Sequence, residues 1–314
     1  MAQDNFIPLV GDDWYQRRRD DTEGRFFRQV ADQGPKKGGG ATRQGVYCFT
    51  ASGKLLAYGN HADPQVMRKM IQRGLKEWNQ MPASERRPGA VQVDPPPKSD
   101  LRYTRQPPPE GLILNVYTRI LDRDARGELC NAICKTVGGD RTARDHMWWT
   151  KRDWQSLIPA DLRKDTIFAL PEPISDRLIR FHLVDNTRGE PPSWRLEDIR
   201  SRKLTLIVEE VTDKEVCLRL EGTVHLATDA NESRADRGFE VRLLGSLRYD
   251  RQRETFDRVD LLAIGEHWGE GPFTKGARPG RSMLGIVFEL ATSKRAGDRV
   301  PPQGAREIDD YLGH

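Results

Sequence analysis

The sequence predicts an α+β protein of two units joined by a proline-rich linker. Residues 1–81 mix helical and strand patterns, residues 82–111 are dense in proline, and residues 112–314 repeatedly alternate apolar with polar side chains. Such alternation is typical of a sheet with one wet face. We therefore expect the second unit to be an antiparallel β barrel or sandwich, interrupted by a helical insert over residues 124–165.

The first unit opens with a short apolar run followed by a helix. Residues 6–10 combine Phe, Ile, Leu and Val around a proline, which predicts a buried strand. Residues 20–32 place four apolar side chains at helical spacing, so we expect one face of this helix to turn inward. The glycine-rich stretch 34–40 predicts a loop.

A hairpin and a long helix complete the first unit. Residues 45–50 and 54–58 are β-rich and flank a Ser-Gly turn, which predicts a hairpin. Asp63 and Pro64 have the residue types of an N-cap and a first helical position. One apolar stripe then supports a helix: Val66, Met70, Ile71, Leu75 and Trp78.

The second unit follows a linker whose prolines stiffen the backbone and remove hydrogen-bond donors. Residues 112–121 alternate as a half-buried strand would, and Thr150 and Asp153 resemble a capping box. The longest alternation is in 215–228, and the turns 212–214 and 251–253 favour antiparallel hairpins. The remaining strand candidates are 178–184, 203–211, 238–249, 255–265 and 283–292.

The order of elements in residues 6–80 resembles the latter part of the thioredoxin fold, most closely from Gly45 to Trp78. Thioredoxins open their first helix with Cys-x-x-Cys and hold a cis proline before the hairpin. Here Arg43 and Gln44 stand where that proline would lie, and Cys48 falls inside a strand as a small core residue. The resemblance implies a thioredoxin-like fold without dithiol activity. The whole chain is also similar to uncharacterised bacterial proteins.

Two explanations of the missing motif stay open. The native protein starts upstream of Met1 with a redox motif there, or the unit is a degenerate fold that serves as a docking surface. As given, the sequence has no signal-peptide pattern at Met1–Gly11, and we expect a cytoplasmic protein with reduced thiols. An upstream start with a signal peptide would instead imply export.

Composition excludes two classes of partner. The 51 basic and 47 acidic residues are interleaved, so we expect no nucleic-acid partner. No apolar run reaches the roughly 20 residues that cross a bilayer, so we expect no membrane span. A protein partner or a small ligand remains, and the sequence predicts no particular cofactor.

Cysteine and histidine supply the candidate sites. Cys130 and Cys134 lie four apart on the predicted helical insert, either as a thiol pair or as two core residues, the interpretation we favour. His146, His182 and His267 each neighbour a carboxylate or a tryptophan. If the sheet curls, His182 and His267 converge near Asp185 or Glu266 and bind a metal or exchange protons. Three separate structural histidines are the simpler interpretation.

Two loops add further candidates. Residues 186–192 and 269–272 are rich in turn formers, and Arg188 and Glu190 are the binding groups that the first loop offers. The glycines of the second loop do not form a phosphate-binding motif. The sequence therefore favours a non-catalytic binding or interaction protein. The alternatives are a thiol oxidoreductase that lacks its Cys-x-x-Cys and a metal-dependent enzyme that uses the three histidines.

Overall fold

The computed structural model describes residues 2–37, 42–61, 63–92, 98–132, 135–291 and 295–313. The chain divides into two units, Met1–Arg105 and Gln106–His314. The division falls within residues 82–111, the stretch that the sequence assigns to a linker.

The first unit is a hairpin with short and long helices around it. Its elements are α1 (Ala2–Asn5), α2 (Asp13–Gln16), α3 (Thr22–Ala31), β1 (Val46–Phe49), β2 (Leu55–Gly59), α4 (Pro64–Gln80) and α5 (Ala83–Arg86). The predicted helices and the antiparallel hairpin β1–β2 are confirmed. Asp63 caps α4 as expected, because its side chain accepts a hydrogen bond from Gln65 N at 2.7 Å.

The two faces of the hairpin contact different helices. On one face, Phe26 of α3 packs edge-on against Phe49 with 5.7 Å between ring centroids. On the other face, Cys48 and Met70 are buried together. Gly74 permits this close packing, because a Cβ there would lie 2.8 Å from Cys48 Cβ. The glycine weakens the helix but lets it approach the hairpin.

Residues 6–10 do not form the predicted strand. They are irregular, and Ile7, Leu9 and Val10 are exposed, whereas Phe6 packs against the Cys48 cluster. Pro8 has no N–H to offer a neighbouring strand. In the described part of the chain, β1 and β2 pair only with each other.

In the residues that the structure describes, the second unit has nine strands and three α-helices. Its elements are β3 (Leu112–Arg123), β4 (Leu129–Asn131), β5 (Ala143–Trp149), α6 (Lys151–Gln155), β6 (Ile167–Ala169), α7 (Glu172–Arg177), β7 (Ile199–Val211), β8 (Glu215–Ala227), β9 (Arg237–Asp250), β10 (Thr255–Gly269), β11 (Ser282–Leu290) and α8 (Ile308–Leu312). A π-helix, Leu178–His182, continues α7, and Thr150 and Asp153 form the predicted capping box.

All nine strands form one antiparallel sheet in the order β4-β3-β11-β10-β9-β8-β7-β6, and β5 also pairs with β3. The prediction of an antiparallel sheet is confirmed, but the expected barrel is wrong because the sheet is open. Among the described residues, the short strands at its two ends do not pair with each other. β4 and β6 have three residues each, and the seven-residue β5 lies with β4 on the same edge of β3.

The helical insert predicted for residues 124–165 is also wrong. This segment contains β4 and β5, and α6 is the one helix among its described residues. Its apolar residues have helical spacing, but β5 pairs along β3 from Leu112 to Thr118, and this long-range pairing overrides the local pattern.

The strand predicted for residues 178–184 is helical instead. Ile174, Leu178 and Ile179 are buried at helical spacing, and the π-helix covers most of the segment. A short continuous apolar run does not distinguish a buried strand from a buried helix.

The main core lies between one face of the sheet and this helical segment. The alternation predicted for β8 is confirmed, since Val216, Leu218 and Leu220 are buried while the intervening residues are not. The inward residues of the long strands pack with Trp154, Ile174 and the π-helix. A smaller cluster joins Trp148, Phe181 and Tyr311 and holds α8 in place.

Candidate functional site

The predicted polar residues fall into separate groups. Asp185, Arg188 and His267 meet at the end of β10. His182 is buried elsewhere, with His146 near it. Glu190 and Glu266 form ion pairs on the surface. The expected convergence of His182 and His267 on one site is therefore wrong, because they have different partners. His182 contacts Asp145 and Tyr311, whereas His267 contacts Asp185.

The first group is centred on the carboxylate of Asp185, in the loop that follows the π-helix. One oxygen accepts hydrogen bonds from the N–H and hydroxyl of Thr187, at 3.0 and 2.6 Å. The other accepts from Arg188 Nε at 2.7 Å and lies 3.4 Å from His267 Nε2. Burial by itself raises the pKa of Asp185, but His267, Thr187 and Arg188 outweigh it and hold the pKa below its ordinary value. Asp185 is therefore a fixed anion at neutral pH.

Arg188 connects two loops through main-chain carbonyls. Its Nη1 donates to Thr274 O at 2.6 Å, and its Nη2 donates to Gly269 O at 3.1 Å. Its side chain is only 3% exposed. Because the guanidinium also donates to Asp185, it fixes the loop after the π-helix against the loop after β10.

Both ring nitrogens of His267 face hydrogen-bond acceptors. Its Nδ1 lies 2.8 Å from Ser282 O, and its Nε2 lies 3.4 Å from Asp185. His267 and Arg188 therefore contact the same oxygen of the Asp185 carboxylate.

A small cavity adjoins this group. It is partly open to solvent, and its volume is about 30 Å³. Asp185, Arg188 and His267 line it together with aromatic and glycine residues that include Trp194, Phe239, Trp268 and Gly238. Gly238 is required here, because a Cβ would lie 2.0 Å from the ring of Trp268. The walls combine apolar surface with few polar groups, as ligand sites do.

Arg237 is a charged lining residue that the sequence did not single out. Its guanidinium lies 4.0 Å from the centroid of the Trp194 ring and donates to Pro192 O and Ser193 O. In the described part of the chain it forms no ion pair with a carboxylate. Burial lowers its pKa to about 10, and Asp198 offsets part of this shift. Only the register could have revealed it, since Arg237 pairs with Gly269 across β9 and β10.

The second group surrounds the buried side chain of His182, and its residues do not line the cavity. Tyr311 accepts a hydrogen bond from Trp148 N at 3.1 Å, and its oxygen lies 2.9 Å from His182 Nε2. His182 Nδ1 lies 3.6 Å from Asp145. Burial lowers the pKa of His182 to about 3 and raises that of Asp145 to about 7, despite the backbone N–H donors of His146 and Gln303. Both members of this pair are neutral between these values.

Arg177 anchors α8 next to this group. It is almost fully buried and donates to Asp153 at 2.6 Å, to Trp148 O at 3.0 Å and to Tyr311 O at 2.7 Å. Burial raises the pKa of Tyr311 well above its ordinary range. These contacts assign the second group to the packing of the C-terminal helix.

The other candidates lie in more open settings. His146 is partly buried, and burial lowers its pKa. Glu190 pairs with Arg306 at 2.8 Å, and Glu266 lies 3.5 Å from Arg281 on the surface. Neither carboxylate lies in the cavity lining.

The cysteines offer no dithiol in the residues that the structure describes. Cys130 lies on β4 rather than on a helix, and Cys134 lies outside the described residues. Cys48 is buried, and its Sγ lies 3.9 Å from Met70 Sδ. Burial raises the pKa of the Cys48 thiol, which makes it less reactive.

The three histidines do not form a metal-ligand group either. Within the described ranges, a set of three ligand atoms within 4.8 Å of one another occurs at Glu210, Glu215 and Cys217, on the β7–β8 hairpin. Two of these side chains are only half-buried and the third is exposed. This surface cluster carries no assignment.

Neither a family model nor a curated protein nor a solved structure matches the chain. The candidate site is therefore argued from its geometry alone. None of the described helices has the length and apolar character that crossing a membrane requires.

Proposed function

We propose that the second unit is a binding module whose ligand enters the cavity beside Asp185. The observation that supports this is a wall held by main-chain contacts: Arg188 donates to Thr274 O and Gly269 O, and His267 Nδ1 lies 2.8 Å from Ser282 O of β11. Groups that are positioned before a ligand arrives lose little conformational entropy when it binds.

The same contacts favour binding over catalysis. A carboxylate with a low pKa is a weak base, and Asp185 is occupied by Thr187, Arg188 and His267. In the pair with perturbed pKa values, Asp145 and His182, the imidazole is fully buried against Tyr311 of α8, and the carboxyl accepts hydrogen bonds from the backbone of His146 and Gln303. Neither Asp–His pair is therefore arranged for general acid–base chemistry.

For the first unit, we retain the proposal of a thioredoxin-like fold that serves as a docking surface. It is supported by a hairpin with α3 against one face and α4 against the other. The oxidoreductase and three-histidine alternatives lack a supporting geometry among the described residues.

The indole N–H signals of the full-length protein test the binding proposal. Trp194 and Trp268 line the cavity, and Trp194 Nε1 donates to Leu183 O at 2.8 Å, so both signals should shift with a ligand in place. The variants Trp194→Phe and Trp268→Phe assign these signals by removing them. Trp14 and Trp78 of the first unit provide internal controls.

The expected result is a saturable shift of the two cavity signals by members of a small-molecule library, each recovered chemically unchanged. A library that shifts neither signal would overturn the proposal. Conversion of a bound compound to product would show an enzyme instead.

A further inference from the structure

The charges around the cavity are unequally compensated. Asp185 receives Arg188 and His267 as partners. Glu270, the other carboxylate in the lining, pairs with Lys275 at 2.9 Å and accepts from Gly276 N at 2.9 Å. Both lining carboxylates are thus already satisfied.

Arg237 is the exception among the lining cations. Its guanidinium donates to two neutral carbonyls, Pro192 O and Ser193 O, which leaves further N–H groups for another acceptor. The carboxylate that acts on the pKa of Arg237 is Asp198, but Asp198 already accepts hydrogen bonds from the backbone N–H and the guanidinium of Arg195. A partly desolvated cation without a contacting anion stabilises an anion that reaches it.

The tryptophans oppose a cationic ligand. Arg237 already covers Trp194 at 4.0 Å, and Arg281 covers Trp268 at 4.3 Å. A ligand cation would have to displace an arginine from an aromatic face. The unpaired charge of Arg237 and the covered tryptophan rings therefore both favour an anionic ligand.

We propose that the cavity binds the oxyanion group of a small molecule, a carboxylate or a phosphate, through Arg237. A planar guanidinium matches either group with paired N–H donors. Trp194 and Phe239 supply apolar walls for the rest of the ligand. This inference rests on the proposed function, since it names the ligand class of the same cavity.

Probes of one shape and three charges test it. Benzoate, its neutral amide benzamide and the cation benzamidine share a ring, and inorganic phosphate and acetate test the oxyanion alone. We expect benzoate or phosphate to shift the Trp194 and Trp268 indole signals, and benzamide and benzamidine to shift them much less. Comparing benzoate and acetate with phosphate tells a carboxylate site from a phosphate site.

Variants of Arg237 locate the charge. Arg237→Gln should weaken anion binding roughly 10- to 150-fold, the range for a hydrogen bond to a charged group. Arg237→Lys should restore part of it, because it keeps the charge without the paired donors. Arg242→Gln, an exposed position on the same strand, should bind as the unaltered chain does.

The outcomes separate the two proposals. Equal binding of benzoate and benzamide, or unchanged anion binding in R237Q, would overturn the oxyanion site but keep a binding module. No shift with any probe or library member would overturn both. If R237Q does not fold, the benzoate and benzamide comparison on the unaltered chain still decides the question.

Discussion

The second unit contains two aspartate–histidine pairs whose carboxyl groups differ in charge. Asp185 is an anion, because His267, Thr187 and Arg188 surround it and lower its pKa, with His267 Nε2 3.4 Å from the carboxylate. Asp145 and His182 are 3.6 Å apart, and burial drives both toward their neutral forms. The residue types and distances are nearly equal. The difference shows that the surrounding donors, rather than the pair itself, decide whether buried groups hold charge.

Removing the guanidinium beside Asp185 should have the largest effect. Arg188→Met leaves the buried Asp185 carboxylate without its arginine partner, so we expect the free energy of unfolding to fall by about 3–5 kcal/mol. Urea unfolding at pH 7 measures it. The control is Arg248→Met, because Arg248 pairs with Asp257 at an exposed position and should change stability by about 1 kcal/mol or less. Equal losses in both variants would contradict the distinction.

Asp145→Asn tests the neutral pair through pH. An unfolded aspartate loses its proton near pH 4, whereas folded Asp145 keeps it to about pH 7. The folded state is therefore destabilised as pH rises across this window, by about 4 kcal/mol in total. Asn cannot ionise, so the stability of D145N relative to the unaltered chain should increase by up to about 1.4 kcal/mol per pH unit.

His182→Gln is the matched variant and should act with the opposite sign. Folded His182 takes up a proton only near pH 3, whereas an unfolded histidine does so near pH 6.5. The unaltered chain therefore loses stability as pH falls through this window, and H182Q escapes that loss. Between about pH 4 and 6.5 the two effects cancel in the unaltered chain. Shifts of the same sign in D145N and H182Q would falsify the neutral pair.

Tyr311→Phe sharpens the comparison by removing one hydroxyl. Trp148 N–H loses its acceptor and His182 Nε2 loses its partner, so we expect a loss of about 1–3 kcal/mol in thermal or urea unfolding. Tyr249→Phe on β9 controls for the loss of a tyrosine hydroxyl as such and should change stability by less than about 0.5 kcal/mol. A loss no larger in Y311F would mean that the hydroxyl does not stabilise the group.

Glu190→Gln should have the smallest effect. The Glu190 side chain is 61% exposed in its pair with Arg306, so we expect a loss of about 0–1 kcal/mol that shrinks at high salt. Unfolding in low and high salt measures it. A salt-independent loss above this range would place Glu190 with the buried groups instead.

The sequence predicted the elements whose pattern is local. The alternation of β8 and the Asp63 cap of α4 are visible within a few residues, and both are confirmed. The segments 124–165 and 178–184 were misassigned because their spacing fits more than one structure, and pairing with β3 or packing in the core decides between them. The sequence also could not show whether the sheet closes into a barrel, since closure depends on edge strands that are far apart in sequence.

The site was only half predictable for the same reason. Asp185 and Arg188 lie three residues apart, and the turn-rich loop pointed to them. No local pattern distinguishes Trp194 or Arg237 from the other tryptophans and arginines of the sequence. Both line the cavity because the fold brings separated segments together, as in the hydrogen bond from Arg237 to Pro192 O. His182 fell in a different group because its segment is helical.

The arginines that line the cavity donate hydrogen bonds to main-chain carbonyls, which affects how the two loops can evolve. Arg188 holds Thr274 O and Gly269 O, and Arg237 holds Pro192 O and Ser193 O. Every residue type supplies a carbonyl, so an exposed position such as Ser193 can change its side chain without loosening these contacts. Gly269 is the exception, because its φ is +76° and a Cβ there would lie 1.9 Å from Asp236 O. Insertions or deletions would move the carbonyls, so selection constrains the lengths of both loops more than the side chains at their exposed positions.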